Sequence, residues 1–283
     1  LLSLASCSSK DKKELQPIDL SGEWSFAMDT ADVGIAEQWF GQKLQASIKL
    51  PGSMKENGIG FEPTLETQWT GSIYDSSWFF NPRMEKYRQP GDLKFPFWLT
   101  PVKYYKNPAW YQKKVEIPDS WENKHIVLLL ERPHWETVVW VDTNRVGMQN
   151  SLSTPHRYEL TDYLTPGEHT LTIRVDNRIK KINVGPDSHS ITDHTQGNWN
   201  GIVGDLLLQP RSPVFIEDVE LYPDISTHIV KADIDLRNIS GEPATGEIHM
   251  AAEAVNTDSA YQVKPLVTGF HIHGEKMNLQ IEY

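Results

Sequence analysis

Cysteine is nearly missing from this 283-residue chain, and the one present, Cys7, leaves no partner for an intrachain disulfide and no cluster for structural zinc. No apolar run approaches the roughly 20 residues that a membrane-spanning helix requires. Blocks of Lys and Arg are absent beyond the first fourteen residues. With a formal net charge of -11, that argues against nucleic acid or an anionic membrane surface as a partner. The chain also lacks a Gly-x-Ser-x-Gly elbow, a Walker loop and a dinucleotide fingerprint, which removes the simple hydrolase, NTPase and Rossmann readings. Nothing implies an organic cofactor. Long stretches at helical period, internal repeats and low-complexity tracts are absent too.

What is present begins with Leu4-Ala5-Ser6-Cys7, which has the form of a bacterial lipobox ahead of a lipid-modified cysteine. The polar Ser8 to Glu14 stretch suits a flexible tether, so residues 1–19 are set apart from the folded body. The competing reading is a frayed terminus with a free thiol. From Leu20 the chain turns to short alternating segments broken by Gly, Pro, Asn and Asp. Strands are expected at Gly22 to Phe26, Ala46 to Leu50, Trp110 to Ile117, His125 to Glu131, Glu136 to Asp142, His156 to Leu160, His169 to Val175 and Leu206 to Leu208. In the His169 to Val175 segment, Leu171, Ile173 and Val175 face one side and Thr172 and Arg174 the other. With no crossover helices between them, these strands predict a jelly-roll sandwich over 20–212.

Between Gly52 and Asn107 lies a long segment rich in rings, Phe61, Trp78, Phe80, Tyr104 and Tyr105 among them. Most are expected to pack and one or two to touch a ligand. Two prolines, Pro210 and Pro213, mark a boundary. A second sandwich with immunoglobulin-like patterning is expected over 213–283, from segments at Val214 to Leu221, His228 to Leu236, Gly246 to Val255 and Lys276 to Tyr283. A sandwich of that kind takes about 100 residues, so this one is expected to be incomplete at its C-terminal end.

The stretch Asp193 to Asp205 combines turn-forming glycines with Trp199 between Asn198 and Asn200. An apolar ring face flanked by amides suits a sugar. The alternative is structural, with Trp199 plugging the sandwich and Gly201 and Gly204 making turns. His271 and His273, two apart on one strand face, lack a third ligand, and no metal is assigned to them. Asp187 and Asp193 read as turn-makers rather than a carboxylate dyad.

Five motifs fall in one order: Gly22-Glu23-Trp24, Asn107-Pro108-Ala109-Trp110-Tyr111, Val139-Trp140-Val141-Asp142, Val175-Asp176-Asn177-Arg178 and Asn198-Trp199-Asn200-Gly201-Ile202-Val203-Gly204. Together they resemble the N-terminal sugar-binding region of glycoside hydrolase family 2, over nearly the whole chain after the tether, and most of all its lipobox-bearing members from Bacteroides-like envelope bacteria. The resemblance implies an all-β architecture, a galactose-binding-like jelly roll followed by an immunoglobulin-like sandwich, and beyond them a catalytic (β/α)8 barrel. It also implies a retaining mechanism with two barrel carboxylates about 5 to 5.5 Å apart. This chain has no Asn-Glu dipeptide, the family's usual acid/base signature, and no barrel texture, so no catalytic residue is assigned and the chain alone is expected to be inactive.

The resemblance assigns recognition instead. Asn107 occupies the place of an Asn that contacts substrate hydroxyls in several members. Where some β-galactosidases carry a contacting Asp, this chain has Thr195 or Gln196, with Asp193 just upstream, a departure that leaves galactose specificity open. The expected substrate-binding set is Asn107, Asp193, Asn198, Trp199 and Asn200, with a β-glycoside as ligand and a C-terminal catalytic barrel as intramolecular partner. Membrane attachment is expected only through a lipid on Cys7, at the periplasm or outer membrane, and homo-oligomer formation stays open. Two other readings stand beside this one, a freestanding carbohydrate-binding lipoprotein and a structural or oligomerisation module.

Overall fold

A computed structural model describes residues 16–68, 76–94, 101–180, 197–255 and 263–283. Two compact units emerge, one of Pro17–Asp119 with Val127–Gln209, the other of Pro210–Tyr283 with Ser120–Ile126. The strands are Ile18–Asp19 (β1), Gly22–Met28 (β2), Ala46–Leu50 (β3), Gly52–Ser53 (β4), Arg88–Gln89 (β5), Asp92–Leu93 (β6), Pro108–Ile117 (β7), His125–Pro133 (β8) and Glu136–Val141 (β9). They continue with Asn144–Gln149 (β10), His156–Glu159 (β11), Gly167–Asp176 (β12), Gly201–Arg211 (β13), Val214–Asp224 (β14), Ile229–Asn238 (β15), Ala244–Met250 (β16), Leu266–Ile272 (β17) and Lys276–Glu282 (β18).

The all-β class holds. In the larger unit one antiparallel sheet runs β10-β9-β12-β7-β2-β3 and the other β1-β13-β8-β11, with β4 on β13. Alternation along β12 buries Leu171, Ile173 and Val175, and Tyr111 of β7 lies directly across from Ile173. The opposite face is buried as well, Thr172 and Arg174 being 0% and 3% exposed. Its cover is the stretch from Asp29 to Leu44, which packs Trp39, Phe40 and Leu44 onto Trp110, Val138 and Trp140. Phe40 stacks on Trp140 at 5.3 Å, and Trp110 on Trp140 at 5.1 Å.

One buried carboxylate pins this cover. Asp29 accepts from the Trp110 indole at 3.0 Å and from the backbone N–H groups of Val33 and Gly34 at 2.8 and 2.9 Å. Three donors satisfy a group that burial would otherwise penalise.

In the smaller unit β14-β15-β18 form one sheet and β16-β17 a second. Ala232, Ile234 and Leu236 alternate inward from β15 and meet Ile248, Met250, Ile272 and Ile281. The expected strand from Gly246 to Val255 starts earlier and stops at Met250, β17 contains His271, which the sequence pattern places on a strand, and β10, which that pattern does not mark, is an edge of the six-stranded sheet.

Within the ring-rich segment, Trp78 and Tyr104 pack with Phe79, Met84 and Leu93, while Phe61 and Phe80 remain 59% and 69% exposed. Trp69, Tyr74, Phe95, Phe97 and Trp98 lie outside the described residues. No described helix is long and apolar enough to cross a membrane.

The cover leaves no room for a side chain at Gly34, where an added Cβ would lie 2.5 Å from the Trp110 indole nitrogen and 2.7 Å from an Asp29 oxygen. Gly34→Ala is therefore expected to destabilise the larger unit by about 1–3 kcal/mol, the usual cost of overpacking. A urea midpoint equal to that of the wild type would contradict the packing described.

Candidate functional site

The site begins where β12 ends. Its last residue pairs with Pro108, so Asn177 emerges beside the start of β7, and its carboxamide, in a residue only 1% exposed, is saturated. Asn177 Nδ2 donates to the Tyr105 carbonyl at 2.7 Å and to Asn198 Oδ1 at 3.1 Å, and Oδ1 accepts the Asn107 N–H at 3.1 Å. In return Asn198 Nδ2 donates to the Asn177 carbonyl at 3.0 Å. Asn200 forms a second brace. Its Nδ2 donates to the carbonyls of Asn107 at 3.1 Å and Val175 at 2.9 Å, and its Oδ1 accepts from the Tyr111 hydroxyl at 2.6 Å. Burial pushes the Tyr111 phenol far above its ordinary range, so it serves as a neutral donor.

Gly201 follows for a steric reason. Its φ is +149°, and a Cβ there would meet the Gly52 carbonyl at 2.4 Å. The backbone can then run close to β4, where Met54 N–H donates to the Asn200 carbonyl at 2.8 Å.

These amides bring Asn107, Asn198 and Asn200 to one end of the sandwich, yet Asn107 and Asn198 line different cavities. The Asn107 cavity, of about 280 Å³, is walled by Phe61, Thr67, Gln68, Tyr104, Tyr105 and Lys106. Both backbone groups of Asn107 are engaged, while its side-chain amide makes no hydrogen bond among the described residues. The other cavity, of about 320 Å³, is lined by Arg132, His134, Trp135, Ser153, Asn198 and Trp199 among others. There Trp199 is half-buried and stacks on His134 with centroids 4.6 Å apart and planes 15° from parallel.

Burial pushes the His134 imidazole down to about 4, with a hydrogen bond to Asn198 opposing and Lys55 assisting. It is neutral at pH 7. Beside Asn177, burial works to raise the Asp176 carboxyl, but hydrogen bonds from Arg178 and Lys180 outweigh it and hold the group at about 2. Arg174 and Arg178 both reach Asp32 as well, at 2.7 and 2.6 Å.

Of the residues expected from sequence, Asn198 and Asn200 therefore spend their amides inside the fold. Asn107 alone of the three turns an uncommitted amide to a cavity. Asp193 and Cys7 lie outside the described residues. Asn177 and His134 were not marked, although Asn177 sits inside the quoted Val175 to Arg178 motif. His271 and His273 bring their rings to 3.9 Å, but no group of three or more potential ligands for a metal occurs among the described residues.

Residues 18–211 match the family model described as glycosyl hydrolases family 2, sugar binding domain. The chain belongs to glycoside hydrolase family 2. Its curated relatives include a β-glucuronidase from Paenibacillus borealis, 24% identical over 82% of this chain and 36% of that protein. Another is a β-galactosidase from Clostridium acetobutylicum, 21% identical over 93% of this chain and 27% of that protein. The chain thus spans about a third or less of the length of these family 2 relatives. A solved family 2 structure from Bacteroides cellulosilyticus superposes with a TM-score of 0.65 at 16% identity, covering 95% of this chain and 30% of the other, a likeness of fold. A Bacteroides uniformis β-glucuronidase gives 0.59, also at 16% identity, over 95% and 27%.

Two outcomes follow for this family 2 domain. Asn177→Ala strands three buried donors and acceptors on two neighbouring segments and is expected to cost about 1–3 kcal/mol per unsatisfied group; chemical denaturation monitored by tryptophan emission reads this. For His134 the folded pKa of about 4 lies below the ordinary 6.5, so the unfolded chain binds more protons between those values. Its contribution to stability is complete above pH 6.5 and is lost as pH falls to 4. His134→Phe, which keeps a ring against Trp199, should flatten the dependence of the urea midpoint on pH across that window.

Proposed function

We propose that this chain is the non-catalytic N-terminal part of a retaining exo-β-glycosidase of the β-galactosidase, β-glucuronidase or β-mannosidase kind, and that it presents substrate-recognition loops to a (β/α)8 barrel elsewhere in the full-length enzyme. The single observation that carries the reading is Asn107. Its backbone is held on both sides by Asn177 and Asn200, and its carboxamide is left uncommitted at a cavity. Family membership and relatives about three times as long support the same reading.

A carboxamide offers one acceptor and two donors, which suits neighbouring sugar hydroxyls. Because the backbone beneath it does not have to be ordered on binding, more of the hydrogen-bond energy reaches the complex. Asn198 and Asn200 act as positioning residues, and Trp199 with His134 forms the wall of the neighbouring cavity. Bond cleavage belongs to two carboxylates of the barrel.

Loss of one neutral hydrogen bond typically costs about 0.5–1.5 kcal/mol. Asn107→Ala in the full-length enzyme is therefore expected to lower kcat/KM for its preferred glycoside by about 2- to 13-fold. An unchanged specificity constant would retire the assignment.

We further propose that Cys7 carries a lipid that anchors the protein at the bacterial envelope, supported by the Leu4-Ala5-Ser6-Cys7 box and the polar tether that follows. Metabolic labelling with a fatty acid is expected to mark the wild type and not Cys7→Ala; label persisting in the variant would refute the anchor.

A further inference from the structure

Phe61 is a ring that the core does not explain. It is 59% exposed, yet its backbone is fixed, donating to the Tyr104 carbonyl at 2.9 Å and accepting from the Tyr104 N–H at 2.8 Å in an isolated antiparallel bridge. Just before it, Gly60 has a φ of +130°, and a Cβ there would stand 3.1 Å from the Tyr104 carbonyl oxygen. The two segments therefore approach as closely as glycine permits. Beneath the ring lies Tyr105, tilted by 42° at 6.3 Å and itself tied to the Pro108 carbonyl at 2.6 Å. A single exposed Phe on a loose loop would need no account. This one is mounted on a rigid bridge and borders the same cavity as the uncommitted Asn107 amide.

We infer that Phe61 and Asn107 are the apolar and polar walls of one pyranose subsite, with the Phe61 ring taking the C–H face of the sugar and the amide its hydroxyls. Pyranosides carry both kinds of surface. An aromatic face accepts polarised C–H groups while excluding water from the amide beside it, so each wall strengthens the other. On the third side Lys106 donates to the Gln68 carbonyl at 2.9 Å, which closes the rim. This inference rests on the reading of Asn107 given above and adds to it a specificity-determining ring.

The experiment is saturation-transfer NMR on the 283-residue chain with methyl β-galactopyranoside, methyl β-glucopyranosiduronate and methyl β-mannopyranoside as separate probes. Transfer is expected to the C–H protons of at least one probe. Phe61→Ala should weaken that binding by about 3- to 10-fold and Phe61→Trp should retain it. Because the ring is exposed, Phe61→Ala should leave the urea midpoint unchanged, so lost binding is not lost folding. Binding that survives Phe61→Ala but weakens in Asn107→Ala overturns the platform and leaves the Asn107 reading in place. Binding indifferent to both substitutions overturns both. Absence of transfer from every probe overturns the subsite as a feature of this chain, while kcat/KM of the full-length Asn107→Ala enzyme still judges the earlier reading on its own.

Discussion

Two stretches of chain far apart in sequence, the lead-in to β7 and the lead-in to β13, are held against the end of β12 by one buried carboxamide. Asn177 can do this because an amide has donors and an acceptor that point in different directions, so that it binds Tyr105 and Asn107 on the first stretch and Asn198 on the second. An apolar residue of the same volume would fill the space without choosing a register. A charged one would have to be neutralised there. Asn200 repeats the device one step away, with Tyr111 supplying the proton that its oxygen needs. Loops that elsewhere would rely on their own turns are thus tied to the sheet, and their positions are as firm as the core.

The charged residues next to this knot play a different part. Arg174 and Asp176, at 3% and 0% exposed, sit within a group that also includes Asp32, Arg178, Glu136 and Lys180. Buried ion pairs add little net stability because desolvation offsets their attraction. What they do is make alternative arrangements costly, since any slip of the Asp176 to Arg178 turn would leave a buried charge without its counter-ion. Position, more than stability, is what this cluster supplies to Asn177.

How much of this could be read from residue order depends on the kind of signal. The strands of the larger sandwich were legible because their alternation is strong: Leu171, Ile173 and Val175 could face only one way. The second cover was not, since nothing local to Asp29 or Trp39 announces that the far face of the six-stranded sheet will be buried. That face carries Thr172 and Arg174, which by period alone look solvent-facing. In the site, Asn198 and Asn200 stand out as amides near glycine and tryptophan and Asn107 through the family resemblance, but a one-dimensional reading cannot tell an amide turned inward from one turned outward. Only the hydrogen-bond partners separate Asn107 from the other two. Asn177 was hidden for the opposite reason: it lies in a short motif after a strand, where Asn is common as a turn residue. His134 was overlooked because its environment is made by the distant Trp199.

The two cavities of the larger unit are not independent, and this follows from the way they are built. Asn177 donates to Asn198, whose neighbour Trp199 lines one cavity, and accepts from Asn107, whose side chain lines the other. A change that rotates the Asn177 amide must break a bond on each side at once. Residues that share a partner in this way are expected to couple rather than to act additively. A brace common to both walls also means that ordering one cavity costs nothing extra for ordering the second, because the backbone of each is already fixed by the same group. Selectivity at such a place comes from the penalty of leaving a fixed amide without its hydroxyl, and that penalty is largest where the amide cannot move away. In the role proposed for Asn107, the rigidity created by Asn177 is what would turn its carboxamide from a surface polar group into a discriminating one.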